Sequence, residues 1–288
     1  MKKAFALLLS VALLAIFSFC QPSTSRFSLR LSGGIGYFSV GELNSTLESM
    51  SDYDYLMSRN VSGRWEKMNW GVNFSLEAVY LITDRIGIGL GGGFFHVSKE
   101  DKMHREFYSS PNREDETYTR TIGCVPLTLN IHYMVPLAST LNLSLSGGAG
   151  YYLTSFKFRS DLVELKPTVT NRRSEAFDSE SKGTIGFQGS FGLEMMLTKN
   201  VGFFVVGRGW YATITGLTGE ASGNSVEDNV PGTYNVTDVG IYLVDFMFRE
   251  KKYSKFIFFQ GVPEDPNAYD LKIDLSGFSL GIGLRLNF

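Results

Sequence analysis

Histidine, cysteine and proline are scarce in this 288-residue chain, at 3, 2 and 8 residues. Past the first twenty positions no apolar run approaches the ~20 residues that a membrane helix requires. There is no excess of positive charge either, because 27 Lys and Arg stand against 29 Asp and Glu. These shortages exclude a helical membrane protein, a disulfide-stapled scaffold and, on charge, a nucleic-acid binder.

The start of the chain has the makings of an export signal. Lys2 and Lys3 precede an apolar run over 4–19, and a Pro, Ser and Thr stretch follows over 21–25. The expected signal is 1–20, with a cut as late as 25 also open. Cys20 as a lipidated residue is disfavoured by the bulky Phe19 before it. Losing Lys2 and Lys3 lowers the 27 basic residues to 25 against 29 acidic ones, a net charge of about −4. With Cys20 gone, Cys124 stands alone and no intramolecular disulfide can form.

What the chain does contain is glycine, at 31 residues, and aromatics, at 14%. Both suit strands and tight turns. Apolar residues recur at every second position: Phe27, Leu29, Leu31, Gly33, Ile35, Tyr37; Trp70, Val72, Phe74, Leu76, Ala78, Tyr80; Phe278, Leu280, Ile282, Leu284, Leu286, Phe288. The same period governs segments starting near Ile86, Val125, Leu141, Ile185 and Val201, and helical spacing is not sustained in any of them.

Strand length separates a soluble sandwich from a membrane barrel. Six outward faces, 27–37, 70–80, 141–151, 187–197, 201–211 and 278–288, each run ten residue steps between apolar or aromatic ends. Ten steps of ~3.3 Å at a tilt of ~40° climb about 25 Å, the height of an outer-membrane apolar band. Aromatic residues form two belts, with Phe27, Tyr80, Tyr133 and Phe288 at one rim and Tyr37, Trp70, Phe94, Tyr151 and Tyr211 at the other. Connections alternate between short (81–85, 135–140, 198–200) and long (near 39–69, 97–118, 159–183 and 212–272). The pattern predicts an all-β fold: a transmembrane up-and-down antiparallel barrel, 26–288, of eight strands in meander order. Ten is the runner-up, because 240–248 and 255–259 could add two more. The favoured reading makes them a hairpin above the membrane.

The final segment, in which Leu280, Ile282, Leu284, Leu286 and Phe288 alternate with small or polar residues, resembles the C-terminal strand of outer-membrane barrels. The whole mature chain resembles small bacterial outer-membrane β-barrels of the OmpA/OmpX/OmpW type. That resemblance implies a bacterial outer-membrane location with both termini periplasmic and an assembly signal in these five residues, read by the barrel assembly machinery. It also implies outer-membrane lipid and lipopolysaccharide as surroundings, a monomer, an unidentified surface ligand, and a function carried by exterior loops. The apolar residues Phe246, Phe248, Phe256 and Phe258 are the candidate loop binding surface. The implied function is non-enzymatic: envelope structure, adhesion or ligand binding. A narrow conduit for small hydrophobic molecules or ions is the alternative.

Counting steps from the rim residues places Arg30, Glu77, Asn130, Ser144, Glu194 and Arg285 in one lumenal layer, with Arg208 a further lumenal charge. Charges in so narrow a space require partners, and strand order predicts that Arg30 touches Glu77 and Arg285. The network replaces a hydrophobic core, and a gate that re-pairs to admit ions is the sharper reading. The glycine-rich run 87–92 matches a dinucleotide fingerprint, but a strand continues after it where a phosphate site needs a helix. Those glycines are expected to make room for Phe95, Phe204 and Trp210, and Pro126 to mark a bulge. His96 and Ser98 resemble the His-x-Ser pair of an outer-membrane lipid A deacylase family. Here no strand carboxylate is placed to orient the His, so a lipid A-modifying hydrolase is a remote alternative. His104 in a loop and His132 in the lumen form no metal cluster. No catalytic residue, metal or cofactor is expected.

Overall fold

The computed structural model describes residues 26–108 and 111–288. The expected signal, 1–20 or as far as 25, lies outside the described residues. Among these residues sixteen strands and one helix form. The strands that pair into a ring are β1 (Phe27–Phe38), β3 (Trp70–Leu81), β4 (Ile86–Phe107), β5 (Arg113–Pro136), β6 (Leu141–Leu165), β8 (Thr184–Met196), β9 (Val201–Tyr211) and β16 (Gly277–Asn287). Each pairs antiparallel with the next in that order, and β16 pairs with β1.

Period-two alternation explains the ring. Outward positions such as Leu90, Ile185, Phe191 and Leu280 are exposed, while the intervening Ser32, Asn130 and Ser144 are buried in the lumen. Phe27 lies opposite Tyr80 and Tyr37 opposite Trp70. Tyr37 packs on Trp70 and Phe278, and Phe27 on Phe288, so aromatic residues gather at both ends of β1. At the end of the ring near Phe27 the connections are short. In two of them a threonine hydroxyl ties the turn, Thr83 accepting from the Arg85 and Ile86 amides and Thr198 from those of Asn200 and Val201.

At the other end, the segments expected to be loops are mostly regular structure. Within 39–69 lie α1 (Glu42–Met57) and β2 (Ser58–Ser62), and β4 and β5 run on through most of 97–118. β6 changes partner: residues 141–152 pair with β8, and 155–165 pair with β7 (Thr170–Glu180). From β7 the sheet continues through β11 (Thr218–Glu227), β12 (Val230–Phe248) and β13 (Lys251–Gln260). Three short strands, β10 (Thr213–Ile214), β14 (Ala268–Asp270) and β15 (Ile273–Asp274), fill the remaining long connection. The result is a second storey above the ring. These segments are polar enough to read as loops because one face of each strand meets water, which masks the buried face.

The helix α1 lies between the two ends of the upper sheet. It buries Leu43, Leu47 and Ser51 on one face, and β13 docks on it through Lys251 to Asp52 (2.7 Å) and the Ser254 amide to the Ser49 hydroxyl (2.9 Å). Asn44 anchors its start by donating to the Ser39 carbonyl and Asn69 and accepting from the Met68 amide. The storey encloses an apolar core that includes Leu47, Trp65, Tyr118, Phe158, Phe177, Ile241 and Leu243.

One local expectation is corrected. Pro126 produces no bulge: pairing skips Gly93 and Phe94 but resumes in the same register, since proline lacks the amide but adds no residue. Register shifts lie instead at Asp238, which has φ 58° and which the β11–β12 pairing skips, and between Ser58 and Asn60 in the β2–β4 pairing. Segments 240–248 and 255–259 pair with each other and have no ladder to any ring strand.

The β12–β13 turn consists of Arg249 and Glu250, both left-handed at φ 49° and 66°. Glycine carries no steric cost there, so Glu250→Gly should stabilise the upper storey by about 1 kcal/mol, measured as a higher denaturant midpoint for protease resistance of this region.

Candidate functional site

The lumen of the ring concentrates the buried charge. Arg30 faces Glu77 on β3 and Arg285 on β16, the expected neighbours. The ion pairs run elsewhere. Both Arg30 (2.5 Å) and Arg285 (2.8 Å) reach across to Glu194, which is 1% exposed. Glu77 is held by the Asn130 amide (2.6 Å) and His132 Nε2 (2.9 Å). His132 Nδ1 lies 3.2 Å from an Arg30 nitrogen. A guanidinium can only donate, so Nδ1 accepts and the ring hydrogen on Nε2 points at Glu77. The expected Arg30–Glu77 contact is thus mediated by His132. Arg30 also lies over the Phe204 ring, 4.7 Å from its centre.

Arg208 stands apart. Its guanidinium donates to the Ser75 hydroxyl (3.0 Å) and forms no ion pair among the described residues. Sequence reasoning placed Arg208 with the other charges but missed His132 as the bridge and Gln188 as the donor to Asn130 (2.9 Å). The parity of His132 with Asn130 on β5 was the available signal. The glycine run also serves a different purpose from the one expected. A Cβ at Gly89 would lie 2.5 Å from the Glu77 carboxylate, so glycine is required for the Glu77–His132 pair. Phe204 instead packs over Gly283, and Trp210 over Gly277.

Three rings roof this polar chamber. Phe95 stacks on Trp210 at 4.8 Å, and Phe38 meets both, at 5.9 and 5.2 Å. Above them Trp65 packs on Tyr118 at 3.7 Å. The fully buried Arg120 pairs with Asp101 and lies over Trp65. Burial pulls the Arg120 pKa down to about 10. Near the top, Arg105 gathers Asp54, Glu114 and Glu116, and burial followed by the neighbouring carboxylates pushes the Glu114 pKa up.

The remaining candidates separate. Phe246 and Phe248 pack against Tyr53, and Phe258 against Phe158 and Phe177, while Phe256 packs on the core. The four phenylalanines are therefore each half-buried, packed against other residues of the storey. Trp70, Tyr80, Tyr133, Tyr151 and Tyr211 are exposed at the rims, and Leu280, Ile282, Leu284 and Leu286 are exposed on β16. His96 stacks on Phe94 and Ser98 hydrogen-bonds Thr121, and among the described residues no carboxylate hydrogen-bonds His96.

A closed antiparallel ring with an apolar outer band and a charged lumen is the architecture of a bacterial outer-membrane β-barrel. The chain belongs to the outer membrane protein beta-barrel domain family, which matches residues 5–230. Among solved structures it is similar to the outer membrane protein OprG from Pseudomonas aeruginosa, at 14% identity over 92% of this chain and 98% of that one, TM-score 0.36. It is also similar to the outer membrane protease OmpT from Escherichia coli, at 12% identity over 94% and 100%, TM-score 0.32. Likeness to a TodX deltaS2S3 mutant monoaromatic hydrocarbon channel is lower, at 9% identity over 93% and 91%, TM-score 0.20. No curated protein sequence matches.

Two substitutions test the electrostatics. Glu194→Gln leaves Arg30 and Arg285 without their shared counter-charge and should cost roughly 3–5 kcal/mol. Glu77→Gln, which keeps partners in Asn130 and His132, should cost less. The two are compared by the temperature at which the folded gel band converts to the unfolded one.

Because the raised Glu114 pKa makes the folded state hold its proton more tightly, that contribution to stability is present below the ordinary carboxylate pKa. It is lost as pH rises through the folded value. Glu114→Gln should therefore melt above the parent at pH 7 and match it in acid, in thermal unfolding scans of the two proteins.

Proposed function

We propose that this protein is a sealed, non-enzymatic barrel whose eight ring strands cross the outer membrane and whose upper storey faces the exterior. In this reading both termini are periplasmic, and the alternating face from Leu280 to Phe288 is the feature recognised by assembly machinery. The short turns lie at the end near Phe27, and the storey with its water-facing strands lies at the other, which supports this orientation.

The observation that carries the reading is the doubly closed interior. An ion layer centred on Glu194 fills the lower lumen, and Phe38, Phe95 and Trp210 roof it, at 1%, 4% and 5% exposure. A path for solutes would have to break both, and above them lies a packed apolar core. The work then falls to the outside of the storey: envelope support, adhesion or capture of a ligand, amid lipopolysaccharide and as a monomer. The environments of His96 and Ser98 support the absence of hydrolysis, since a serine nucleophile needs an oriented base.

Purified protein in planar bilayers should give no resolved single-channel conductance, and Phe95→Ala combined with Trp210→Ala should introduce openings. Steady conductance by the parent protein would favour the conduit. Ser98→Ala should leave the lipid A composition of expressing cells unchanged, and a changed composition would restore the hydrolase.

A further inference from the structure

The polar chamber between the ion layer and the aromatic roof carries more positive charge than its own carboxylates balance. Inside the ring beneath the roof, Arg30, Arg208 and Arg285 face Glu77 and Glu194. His132, with Nδ1 accepting from Arg30, is a neutral ring. One guanidinium is left over. By geometry it is Arg208, because both Glu194 oxygens serve the other two arginines while Asn130 and His132 share Glu77 Oε1. A buried cation without a counter-ion is strongly disfavoured, so the chamber must offer it one.

A cavity is present where that counter-ion would lie. It has a volume of about 30 Å³ and is lined by Arg208, Gln188, Ser75, Ser190 and Thr128, with Phe95 at the roof side. Glu77 also lines it, which places an anion towards Arg208 and away from that carboxylate.

Three buried groups, each one strand away from a residue that lines the cavity, have a hydrogen to donate and no partner among the described residues: Asn73 Nδ2, the Tyr152 hydroxyl and Trp210 Nε1. All three residues are at most 7% exposed. Asn73 is the ladder neighbour of Phe95, Tyr152 that of Pro126, and Trp210 that of Gln188, and each of those neighbours lines the cavity. The surplus is thus of donors and positive charge together. Water would meet the donors but not the charge.

We infer that the lumen binds one small monovalent anion of chloride size, held by Arg208 and the surrounding hydroxyl and amide donors as an integral part of the plug. Gluconate, a six-carbon polyhydroxy anion, is far larger than a halide and serves as the anion that the site should not take.

Protein refolded into detergent in sodium bromide or chloride should unfold at a higher temperature than protein refolded in sodium gluconate at equal ionic strength. The difference should saturate with halide concentration. Arg208→Gln should abolish that difference, whereas Arg159→Gln, on the exterior, should keep it. Equal midpoints in halide and gluconate for the parent, or a halide effect that survives Arg208→Gln, would overturn the site. Crystals of the parent grown in bromide give a check independent of how the variant folds. An anomalous peak beside Arg208 is expected, and a non-anomalous solvent peak there would identify water and end the proposal.

Discussion

A strand in hydrocarbon has no water to satisfy its amides and carbonyls, so each must meet those of another strand, and the sheet can have no free edge. That requirement accounts for the ring, in which β16 returns to β1 after every other neighbour is paired. Ring closure also sets the chemistry inside. It brings Arg285 beside Arg30 although the two lie at opposite ends of the chain, and the resulting concentration of positive charge is relieved by Glu194 on β8, two strands from Arg285. Were the sheet open, these side chains would extend into water and need no partners.

The same alternation yields two different interiors. Along β5 the inward residues are Asn130 and Thr128 low in the ring and Ile122 and Tyr118 above it, while the outward residues change from Ile131 and Leu129 to Thr119 and Asp115. β6 behaves likewise, with Ser144 inward and Leu145 outward below, and Phe158 inward and Lys157 outward above. The parity never slips, but the polarity reverses. Below, the outside solvent is lipid and the narrow lumen is filled by polar groups. Above, the outside solvent is water and the enclosure is filled mainly by hydrophobic groups, with the Arg120–Asp101 ion pair buried among them. The reversal near Cys124 marks the change of solvent, and the aromatic roof of Phe38, Phe95 and Trp210 lies at that boundary.

Much of the ring was legible because lipid imposes a strict pattern. The rim partners Phe27 with Tyr80 and Tyr37 with Trp70, and the shared layer of Arg30, Glu77 and Arg285, follow from counting steps along each strand. Counting steps cannot say which long side chain crosses the lumen to which partner. Arg30 therefore reached Glu194, and His132 entered between Arg30 and Glu77, without a sequence signal strong enough to show it. In the upper storey the pattern weakened further. The strand continuations of β4, β5 and β6 carry charges on one face, as loops do, whereas the hairpin over 240–248 and 255–259 was legible even though its Arg249-Glu250 turn lacks glycine or asparagine. The helix α1 buries only a few residues of a segment rich in serine and aspartate, so its helical period was faint.

Local chain chemistry alone determined the period of two, the ten-step outward faces, the aromatic rims and the side of the wall on which each charged residue stands. Those properties depend only on the pleat of a strand and on the solvent outside it. Tertiary structure decided the partner change of β6, the docking of α1 against β13, the packing of Phe246, Phe248, Phe256 and Phe258 within the storey, and the placement of Arg208 on the Ser75 hydroxyl with no ion pair among the described residues. These depend on distances across an enclosed space between residues far apart in the chain, which no spacing along one strand encodes.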